Sequence, residues 1–381
     1  MRVAVYSDFP YRRDADGVSC DESFVLFACA LARRVDRLVL VGRLDPEPGR
    51  AAYRVPGDVG FAALPHYPSL ARPSAALRDG LRSLRRFDAV LREVDGVLLL
   101  GPHPLALAFA LVALRRRRRV VLGVRQDLPR YTRHRRSARP DLWLAAVALD
   151  AAWRHLARRA PVAVVGEALA HRYRRGRRVV PIAVSLVAEA DIVAPGVAHA
   201  RSWNGRRRLL SVGRLDPEKG PLLLADVLAA LDERWRLIVC GAGPLEADLR
   251  ARLRDLGVAE RAELRGHVPY DAGLWELYRS CQALAHVSLT EGVPQVLYEA
   301  FSAGLPVVGT AVGGVAAAAG DAALLVRPGD AAAMARAVAR LDDPLVRRRV
   351  VEAGLRRARQ HTVERESARL LDLFEDRDGG P

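Results

Sequence analysis

The sequence has 381 residues, of which 50% are hydrophobic, and its 60 Lys and Arg residues outnumber its 44 Asp and Glu residues, giving a formal net charge of +16. A single hydrophobic core rarely keeps growing beyond about 250 residues, so this length predicts two domains. No apolar stretch reaches the roughly 20 residues of a membrane-spanning helix, and the N-terminus reads as a strand without a signal-peptide pattern. We therefore exclude a transmembrane protein and expect a cytoplasmic one.

The positive charge is concentrated in the first half of the chain. Three basic clusters lie there: Arg115 to Arg119, Arg133 to Arg136, and Arg172 to Arg178. Almost all of the basic residues are Arg in a chain rich in Ala and Leu, which indicates a compositional bias rather than a nucleic-acid surface. We expect no nucleic-acid partner and a solvated basic face, with peripheral contact to an anionic membrane as the lesser prediction.

Short apolar segments alternate with amphipathic ones through the first half, a pattern typical of a parallel sheet covered by helices. The predicted strands are Arg2 to Ser7, Arg37 to Gly42, Gly96 to Leu100, Arg119 to Val124, Pro161 to Val165 and Arg178 to Ile182. Helical periodicity marks Asp21 to Val35 and Asp141 to Arg159. We predict a doubly wound N-terminal domain over residues 1–190, and a linker within 185–206.

The second half repeats this alternation. Predicted strands are Arg208 to Val212, Arg236 to Cys240, Ala262 to Arg265, Ala283 to Val287, Pro306 to Gly309 and Ala322 to Val326. Predicted helices are Pro221 to Leu231, Pro244 to Leu256, Asp271 to Ser280, Pro294 to Ala303 and Ala331 to Leu341. This predicts a second domain over 200–343, followed by C-terminal helices over 344–381 that cross back toward the first domain. Open parallel sheets bind ligands at the carboxyl ends of their strands, so a cleft between the domains is the expected site.

A loop with two cations follows the first strand of the second domain. It runs from Gly213 to Gly220 and contains Arg214 and Lys219, which can close on one diphosphate. Lys219 is the only lysine of the chain, and its compact ammonium differs from the broad guanidinium fork. Chance survival of one lysine is the alternative explanation.

A second segment places two carboxylates around a predicted helix start. Glu291 precedes Pro294, and Glu299 lies more than one turn into the helix. The amides of Gly292, Val293 and Gln295 then form an anion site at the helix N-terminus. Considered in isolation, Glu291 would be a capping carboxylate and Glu299 part of a solvated helix face.

Taken together, these segments resemble the family 4 (group 1) glycosyltransferases of the GT-B fold. The resemblance rests on five ordered motifs, which are Gly213 to Gly220, Gly241 to Leu245, Gly266-His267-Val268, Glu291 with Glu299, and Ala303 to Val308 with Gly313-Gly314. It implies an α/β protein in which two doubly wound Rossmann-like domains face each other across a cleft.

The resemblance also implies roles for individual residues. Arg214 and Lys219 would hold the donor diphosphate, Glu291 would contact sugar hydroxyls, and Glu299 would contact the ribose. The backbone near His267 and Val268 would contact the base, and Gly17 would approach the phosphate from the first domain. The remaining donor-binding positions are Gly213, Gly243, Gly292, Val293 and Val296.

The chain departs from the family on the acceptor side. The family often has a His after the fourth or fifth strand, where this chain has Arg125, Gln126 and Asp127. Either Arg125 or Gln126 supplies that contact, or His103 reaches in from the neighbouring strand end. The acceptor would enter near residues 125–134.

The implied reaction is a retaining, metal-independent transfer of sugar from a nucleotide-diphosphate donor to an acceptor hydroxyl, with no cofactor. The acceptor would be a carbohydrate, a lipid-linked molecule or a small molecule. The turn Gly241-Ala242-Gly243 is a weaker dinucleotide-binding candidate because the third glycine is missing. A phosphorylase that uses pyridoxal phosphate is disfavoured. The non-enzymatic alternative is an Arg-rich protein that binds polyanions or membrane surfaces without catalysis.

Overall fold

The structure is a computed structural model that describes residues 1–67, 73–135 and 139–375. The chain forms two compact units, the first comprising Met1–Val184 and the chain from Glu364 onward, the second Ser185–Val363. Arg136 of the predicted basic clusters, and residues 376–381 of the predicted C-terminal segment, lie outside the described residues. Among the helices that are described, none is both long enough and apolar enough to cross a bilayer.

The first unit is built on a nine-stranded sheet, counted over the described residues. Its strands are β1 Arg2–Asp14, β2 Gly17–Cys20, β3 Arg37–Leu44, β4 Tyr53–Arg54, β5 Gly60–Leu64, β6 Gly96–Gly101, β7 Arg119–Val124, β8 Val162–Val165 and β9 Val179–Ile182. The parallel part has the order β5-β3-β1-β6-β7-β8-β9, while β2 pairs antiparallel with the end of β1 and with β4. Strands β3 and β6, which lie on either side of β1, are almost continuously apolar because helices cover both faces of the sheet.

The helices of this unit are α1 Phe24–Ala30, α2 Pro73–Glu93, α3 Pro104–Arg115, α4 Leu128–Arg135, α5 Pro140–Leu156 and α6 Glu167–Arg172. Aromatic side chains fill the space between helices and sheet: Phe87 stacks on Phe109 at 4.1 Å between ring centroids, and Trp153 is fully buried. Trp153 packs so closely on Gly101 that a Cβ there would lie 2.6 Å from its ring. The end of β6 is therefore fixed by α5.

The second unit contains a six-stranded parallel sheet of order β12-β11-β10-β13-β14-β15 within the described part of the chain. Its strands are β10 Arg207–Val212, β11 Trp235–Cys240, β12 Ala262–Leu264, β13 Ala283–His286, β14 Val307–Thr310 and β15 Ala323–Val326. The helices are α7 Pro195–His199, α8 Leu223–Ala230, α9 Glu246–Asp255, α10 Ala272–Ser280, α11 Gln295–Ser302, α12 Val315–Ala319, α13 Ala331–Ala339 and α14 Pro344–Gln360. Both units thus have the doubly wound α/β architecture that the alternating pattern predicts.

Residues 185–206, which we predict as a linker, pack on the second unit. The amide of Val193 donates to the carbonyl of Ser302 at 2.9 Å, and Ala198 lies directly against Gly304. These contacts explain why the division falls between Val184 and Ser185.

The predicted C-terminal segment 344–381 is divided between the units. Helix α14 belongs to the second unit, and α15, Val363–Leu371, lies almost wholly in the first. There the buried Glu366 accepts a hydrogen bond from the amide of Ala183 at 3.0 Å. Phe374 packs on Gly96, where a Cβ would lie 2.7 Å from its ring.

Candidate active site

Three loops at the carboxyl ends of β10, β11 and β12 pack together through their backbones. The amide of Gly213 donates to the Cys240 carbonyl at 2.9 Å, and the amide of Gly241 donates to the Gly266 carbonyl at 2.7 Å. A Cβ on Gly243 would lie 2.7 Å from the Leu215 carbonyl, and one on Gly241 would overlap the Gly213 carbonyl oxygen. Only glycine fits these positions because no side chain has room between the loops.

Lys219 and Glu291 meet in the second unit, although 72 residues separate them. Lys219 ends a short 3₁₀ turn, and Gly220 follows it with a left-handed φ of 59°. The Nζ of Lys219 donates to Glu291 Oε1 at 2.5 Å. The Lys219 side chain is 25% exposed and the Glu291 side chain is 9% exposed. The carbonyl of Glu218 accepts a hydrogen bond from the amide of Leu289 at 2.9 Å, which joins the two loops beside the ion pair.

Arg214 lies in the same loop with its side chain 62% exposed. It pairs with Asp216 and, at 3.1 Å, with Glu218. Leu215 between them is buried and anchors the loop in the core. Convergence of Arg214 and Lys219 on one diphosphate stays a prediction.

Two residues that the sequence analysis missed surround Glu291. Ser288 Oγ donates to Glu291 Oε1 at 2.7 Å, and His286 Nε2 lies 3.4 Å from the same oxygen. Burial is the main reason that the pKa of His286 falls to about 4, so its ring is neutral near pH 7. Both residues lie at the carboxyl end of β13, a position that could have drawn attention to them.

The backbone of the Glu291 loop is held by two consecutive glycines. The amide of Gly314 donates to the Gly292 carbonyl at 2.9 Å. A Cβ on Gly313 would overlap the carbonyl oxygen of Glu291. Gly292 is exposed beside this contact, and Val293 and Val296 are half-buried. Helix α11 begins at Gln295, one residue later than predicted, with Pro294 as its N-cap.

Glu299 is buried rather than solvated. Its residue exposure is 5%, and its Oε2 accepts a hydrogen bond from the Tyr278 hydroxyl at 2.6 Å. Burial raises the pKa of Glu299 to about 7, and the Tyr278 hydrogen bond opposes that rise. The buried Tyr270 hydroxyl has no hydrogen-bond partner among the described residues, and burial, with a smaller contribution from Glu299, raises its pKa. A solvated helix face is therefore the wrong interpretation of Glu299, while its role toward ribose stays a prediction.

His267 and Val268 follow β12 in the loop that Gly266 opens. His267 is exposed and Val268 is half-buried. Gly266 has a left-handed φ of 65°, and its carbonyl accepts the hydrogen bond from Gly241. The backbone of this loop is thus fixed to the loops that carry the predicted diphosphate site.

In the first unit, Gly17 closes a tight hairpin. It pairs antiparallel with Asp14, has a φ of 132°, and no other atom lies within 4 Å of where its Cβ would be. The hairpin includes an Asp-x-Asp pair, Asp14 and Asp16, which Arg54 binds at 3.5 Å and 2.8 Å. Among the described residues, no three His, Cys, Asp or Glu side chains are grouped as metal ligands would be.

His103 belongs to a polar cluster that the sequence analysis missed. Its Nδ1 lies 3.3 Å from the Tyr6 hydroxyl, and its Nε2 lies 3.2 Å from Asp8 Oδ2. Asp8 also binds Arg43 at 3.2 Å and the Tyr67 hydroxyl. Burial lowers the pKa of His103, and the Asp8 carboxylate counteracts this. His103 is thus held by two partners on β1, Tyr6 and Asp8, and Asp8 is held in turn by Arg43 and Tyr67.

The other acceptor-side candidates follow β7. Arg125 lies over the ring of Phe24, 4.9 Å from its centroid, and its guanidinium is 3.8 Å from Glu22. Gln126 is exposed. Asp127 accepts a hydrogen bond from the Arg130 amide at 3.1 Å and so caps α4.

A cavity of about 380 Å³ opens beside Asp127, within the first unit. Its lining residues are Asp127, Pro129, Arg130, Arg133, Trp143 and Arg172. Arg172 is held in place by Asp150 at 2.7 Å and by Asp127 at 3.5 Å. The cavity therefore combines a fixed guanidinium, two exposed ones and an aromatic ring.

Comparison with known proteins identifies a family match in the second unit and several similar glycosyltransferases. The sequence pattern of the family Glycosyl transferases group 1 matches residues 206–343. D-inositol 3-phosphate glycosyltransferase of Corynebacterium glutamicum (strain R) is 33% identical over 215 residues, which are 51% of this chain and 51% of that protein. 2-Deoxystreptamine glucosyltransferase of Streptomyces kanamyceticus is 34% identical over 139 residues, 35% of this chain and 36% of that protein. The chain spans about half the length, or less, of these curated relatives.

Solved structures are similar over nearly the whole chain. The crystal structure of Anabaena Alr3699/HepE in complex with UDP has a TM-score of 0.73 and 17% identity, covering 98% of this chain and all of that one. Sucrose-phosphate synthase from Thermosynechococcus elongatus has a TM-score of 0.73 and 18% identity, covering 98% of both chains. At such low identity the likeness establishes the fold, and it confirms the predicted GT-B architecture. Residues 206–343 thus match the sequence pattern of the Glycosyl transferases group 1 family, and the chain that carries them has the GT-B fold.

Proposed function

We propose that this chain is a retaining, metal-independent glycosyltransferase that moves a sugar from a nucleotide-diphosphate donor to an acceptor hydroxyl. The observation that carries the proposal is the contact between Lys219 and Glu291, directly before the start of α11. A diphosphate sugar requires three kinds of binding group. A cation binds phosphate, a carboxylate binds sugar hydroxyls, and a helix N-terminus binds a further anionic oxygen. The family match over 206–343 and the named activities of the relatives support the same reaction class.

The proposed chemistry is stabilisation of the departing diphosphate. Once the nucleotide sugar is bound, Lys219, Arg214 and the positive end of the α11 dipole would converge on its diphosphate and stabilise the negative charge that develops there. Each such donor typically contributes on the order of 3 kcal/mol to lowering the barrier. These cations would do the work of a divalent ion, and the leaving phosphate would accept the proton of the acceptor hydroxyl.

The direct test is a thermal-shift panel of UDP, GDP, ADP and TDP, followed by hydrolysis assays with nucleotide sugars of the winning base. We expect saturable stabilisation by one nucleoside diphosphate, and sugar release that persists in EDTA and retains the anomeric configuration by NMR. Absence of a shift with every diphosphate would overturn the proposal. Activity that disappears in EDTA and returns with Mg²⁺ would overturn metal independence alone.

For the acceptor we propose the cavity beside Asp127. Guanidinium groups bind phosphate and carboxylate well, so the lining favours an acceptor that carries an anionic group. Changing Arg130 and Arg133 together to Gln should raise the KM for such an acceptor and leave donor hydrolysis unchanged. Arg348→Gln, on an exposed face of α14, is the matched control. Equal KM values in the double variant and the control would contradict the placement.

The exposed groups of α4 and α5 support a second proposal, a peripheral contact with an anionic membrane. Tyr131 is 37% exposed and Leu144 is 60% exposed, and Arg130 and Arg133 are exposed nearby. Apolar side chains next to arginines are the combination that binds an anionic bilayer surface. Co-sedimentation with phosphatidylglycerol vesicles, but not with phosphatidylcholine vesicles, is the expected result. If such binding occurred without any nucleotide binding, the non-enzymatic alternative would replace the transferase.

A further inference from the structure

His286, the last residue of β13, carries a buried nitrogen without a hydrogen bond. The residue is 6% exposed, and its Nε2 has no hydrogen-bond partner in the described part of the chain. Such atoms are rare in folded proteins because losing water without a replacement partner is unfavourable. This one lies 3.4 Å from Glu291 Oε1 without the alignment of a hydrogen bond.

The carboxylate oxygen that His286 faces is fully engaged by other groups. Glu291 Oε1 accepts hydrogen bonds from Lys219 Nζ at 2.5 Å and from Ser288 Oγ at 2.7 Å. A hydroxyl has one proton to donate, so Ser288 has no further capacity to give. His286 is thus the neighbouring group whose donor capacity is unused.

The ring has a defined protonation state. Burial, and secondarily the Lys219 ammonium, lower the pKa of His286 to about 4, although the Glu291 carboxylate opposes this. A neutral ring carries one N–H, on Nδ1 or on Nε2. Only the Nε2–H tautomer presents a proton rather than a lone pair to the carboxylate, so the Glu291 charge favours it.

Binding of a nucleotide-sugar donor would change the hydrogen-bond partners of Glu291. In the proposed function, the Lys219 ammonium turns toward the diphosphate and gives up some or all of its contact with Glu291. The Glu291 side chain is only 9% exposed, so water reaches the carboxylate poorly and replaces the lost partner only in part. A buried carboxylate that loses a charged partner is strongly destabilised unless another donor takes over.

We propose that His286 is a positioning residue that donates its Nε2–H to Glu291 Oε1 when Lys219 engages the donor diphosphate. A shift of a few tenths of an ångström, together with a rotation of the side chains that aligns the N–H with the oxygen, brings the two atoms from 3.4 Å into the ordinary range of about 2.7–3.2 Å. The imidazole then keeps Glu291 ionised and oriented toward the sugar hydroxyls. This inference rests on the proposed donor site, and it assigns to His286 a role that appears only in the bound state.

Calorimetric titration with UDP of the wild type, His286→Leu and His286→Gln tests this role. Leu removes the donor at similar volume, whereas a Gln amide reaches the position of Nε2. We expect His286→Leu to bind UDP about tenfold more weakly, the effect of one hydrogen bond to a charged group, and His286→Gln to recover most of that loss. Because Nε2 makes no hydrogen bond in the free protein, the unfolding midpoint of His286→Leu without UDP should match that of the wild type.

A merely structural role predicts the reverse pattern. It would lower the unfolding midpoint of His286→Leu without UDP and leave the affinity of the folded protein unchanged, and that result would overturn the inference.

Nitrogen-15 NMR of labelled histidines gives an independent readout, with the His286→Gln spectrum assigning the signal. Saturating UDP should shift the Nε2–H resonance of His286 downfield, as a new hydrogen bond does. An unchanged resonance in a protein that binds UDP would overturn the role of His286 and leave the transferase standing. If the wild type binds no nucleoside diphosphate at all, the proposed function fails and this inference fails with it.

Discussion

Lys219 and Glu291 form an ion pair in which the lysine is more exposed than the glutamate. With 25% and 9% exposure, the pair is dry enough for its charges to attract strongly, and open enough on the lysine side for a ligand to reach the ammonium. A diphosphate that approaches Lys219 competes with Glu291 for the same cation. Sugar hydroxyls, which are neutral, can in turn bind the carboxylate that the lysine releases.

Two substitutions of Lys219 should distinguish the effect of its positive charge from the effect of its shape. We expect Lys219→Ala to lower kcat/KM by about 100-fold or more, the usual effect of losing a donor aimed at developing negative charge. Lys219→Arg keeps the charge but spreads it over a planar fork, so it should recover only part of the activity. Steady-state hydrolysis of the nucleotide sugar measures this, with the exposed Arg348→Ala as the control. Equal activity of Lys219→Ala and the control would remove Lys219 from the mechanism.

The buried Glu299 predicts a specific pH dependence of stability. Burial raises its pKa from the ordinary value of 4.5 to about 7, so between these values the folded state holds a proton that the unfolded state has released. Stability contributed by the protonated carboxyl is therefore fully present below pH 4.5 and is lost as the pH rises through 7. At about 1.4 kcal/mol per pKa unit, the wild type should lose on the order of 3 kcal/mol more than Glu299→Gln across this window.

Urea denaturation of both proteins at pH 5 and pH 7.5 measures the difference, because the other titrating groups are common to them. Parallel pH profiles for the two proteins would show that Glu299 is ionised in the folded state.

The residues that were predicted and those that were missed differ in a physical way. Lys219 and Glu291 stand out in the sequence because each lies in a loop with glycines and a recognisable spacing. Tyr278 and His286 lie among apolar residues of a helix and a strand, so no motif in the sequence marks them as part of the site. Their importance arises from the fold, which buries them against carboxylates 21 and 5 residues further along the chain.

At the scale of elements, the loops of the second unit are aligned by glycines rather than by side chains. Gly241 and Gly243 let the β11 loop rest on the backbone of the β10 loop, and Gly313 and Gly314 do the same for the Glu291 loop. Backbone contacts of this kind fix the loops that carry Lys219 and Glu291, whereas the side chains of the two residues stay free to exchange partners. Orientation that is fixed before binding reduces the entropy that a ligand must lose.

Gly241→Ala tests this alignment. The new Cβ would overlap the Gly213 carbonyl oxygen, so one of the two loops must move. We expect a loss of more than about 2 kcal/mol in the free energy of unfolding and weaker nucleotide binding. Gly196→Ala, which has no other atom within 4 Å of its new Cβ, should change neither quantity. Unfolding curves and thermal shifts that coincide for the two variants would contradict the argument.

The strands that were predicted agree with the structure to within two residues at each end, because both of their faces are buried and their apolar runs are continuous. The exception is β1, which continues to Asp14 instead of ending at Ser7. The first unit's β2 and β4 were missed because they are short and their side chains do not form an apolar run, and β5 was missed although its side chains, from Phe61 to Leu64, are apolar. Helix α2 was also missed, since Arg residues dominate its exposed face. Tertiary pairing, rather than local pattern, decides these elements.

At the scale of the whole molecule, the chain passes between the two units twice, near Val184 and near Val363. Each unit has its own sheet and core, and the predicted donor-binding residues Arg214, Lys219 and Glu291 all lie in the second. Helix α15, which follows the second crossing, is held in the first unit by Glu366, which accepts a hydrogen bond from the Ala183 amide beside the first crossing. The C-terminal segment thus completes the first unit, although most of that unit's residues precede the second.

Phe374→Ala should therefore destabilise the first unit without disturbing the donor site. Phe374 is 2% exposed and packs against Gly96, and truncating a buried Phe typically costs about 3–5 kcal/mol. Urea denaturation should show this loss, whereas Leu345→Ala, at a residue that is 77% exposed, should leave stability unchanged. Because the donor residues belong to the other unit, the dissociation constant for UDP, measured well below the unfolding midpoint, should match that of the wild type. A large loss of UDP affinity in Phe374→Ala would mean that the first unit and the donor site depend on each other energetically.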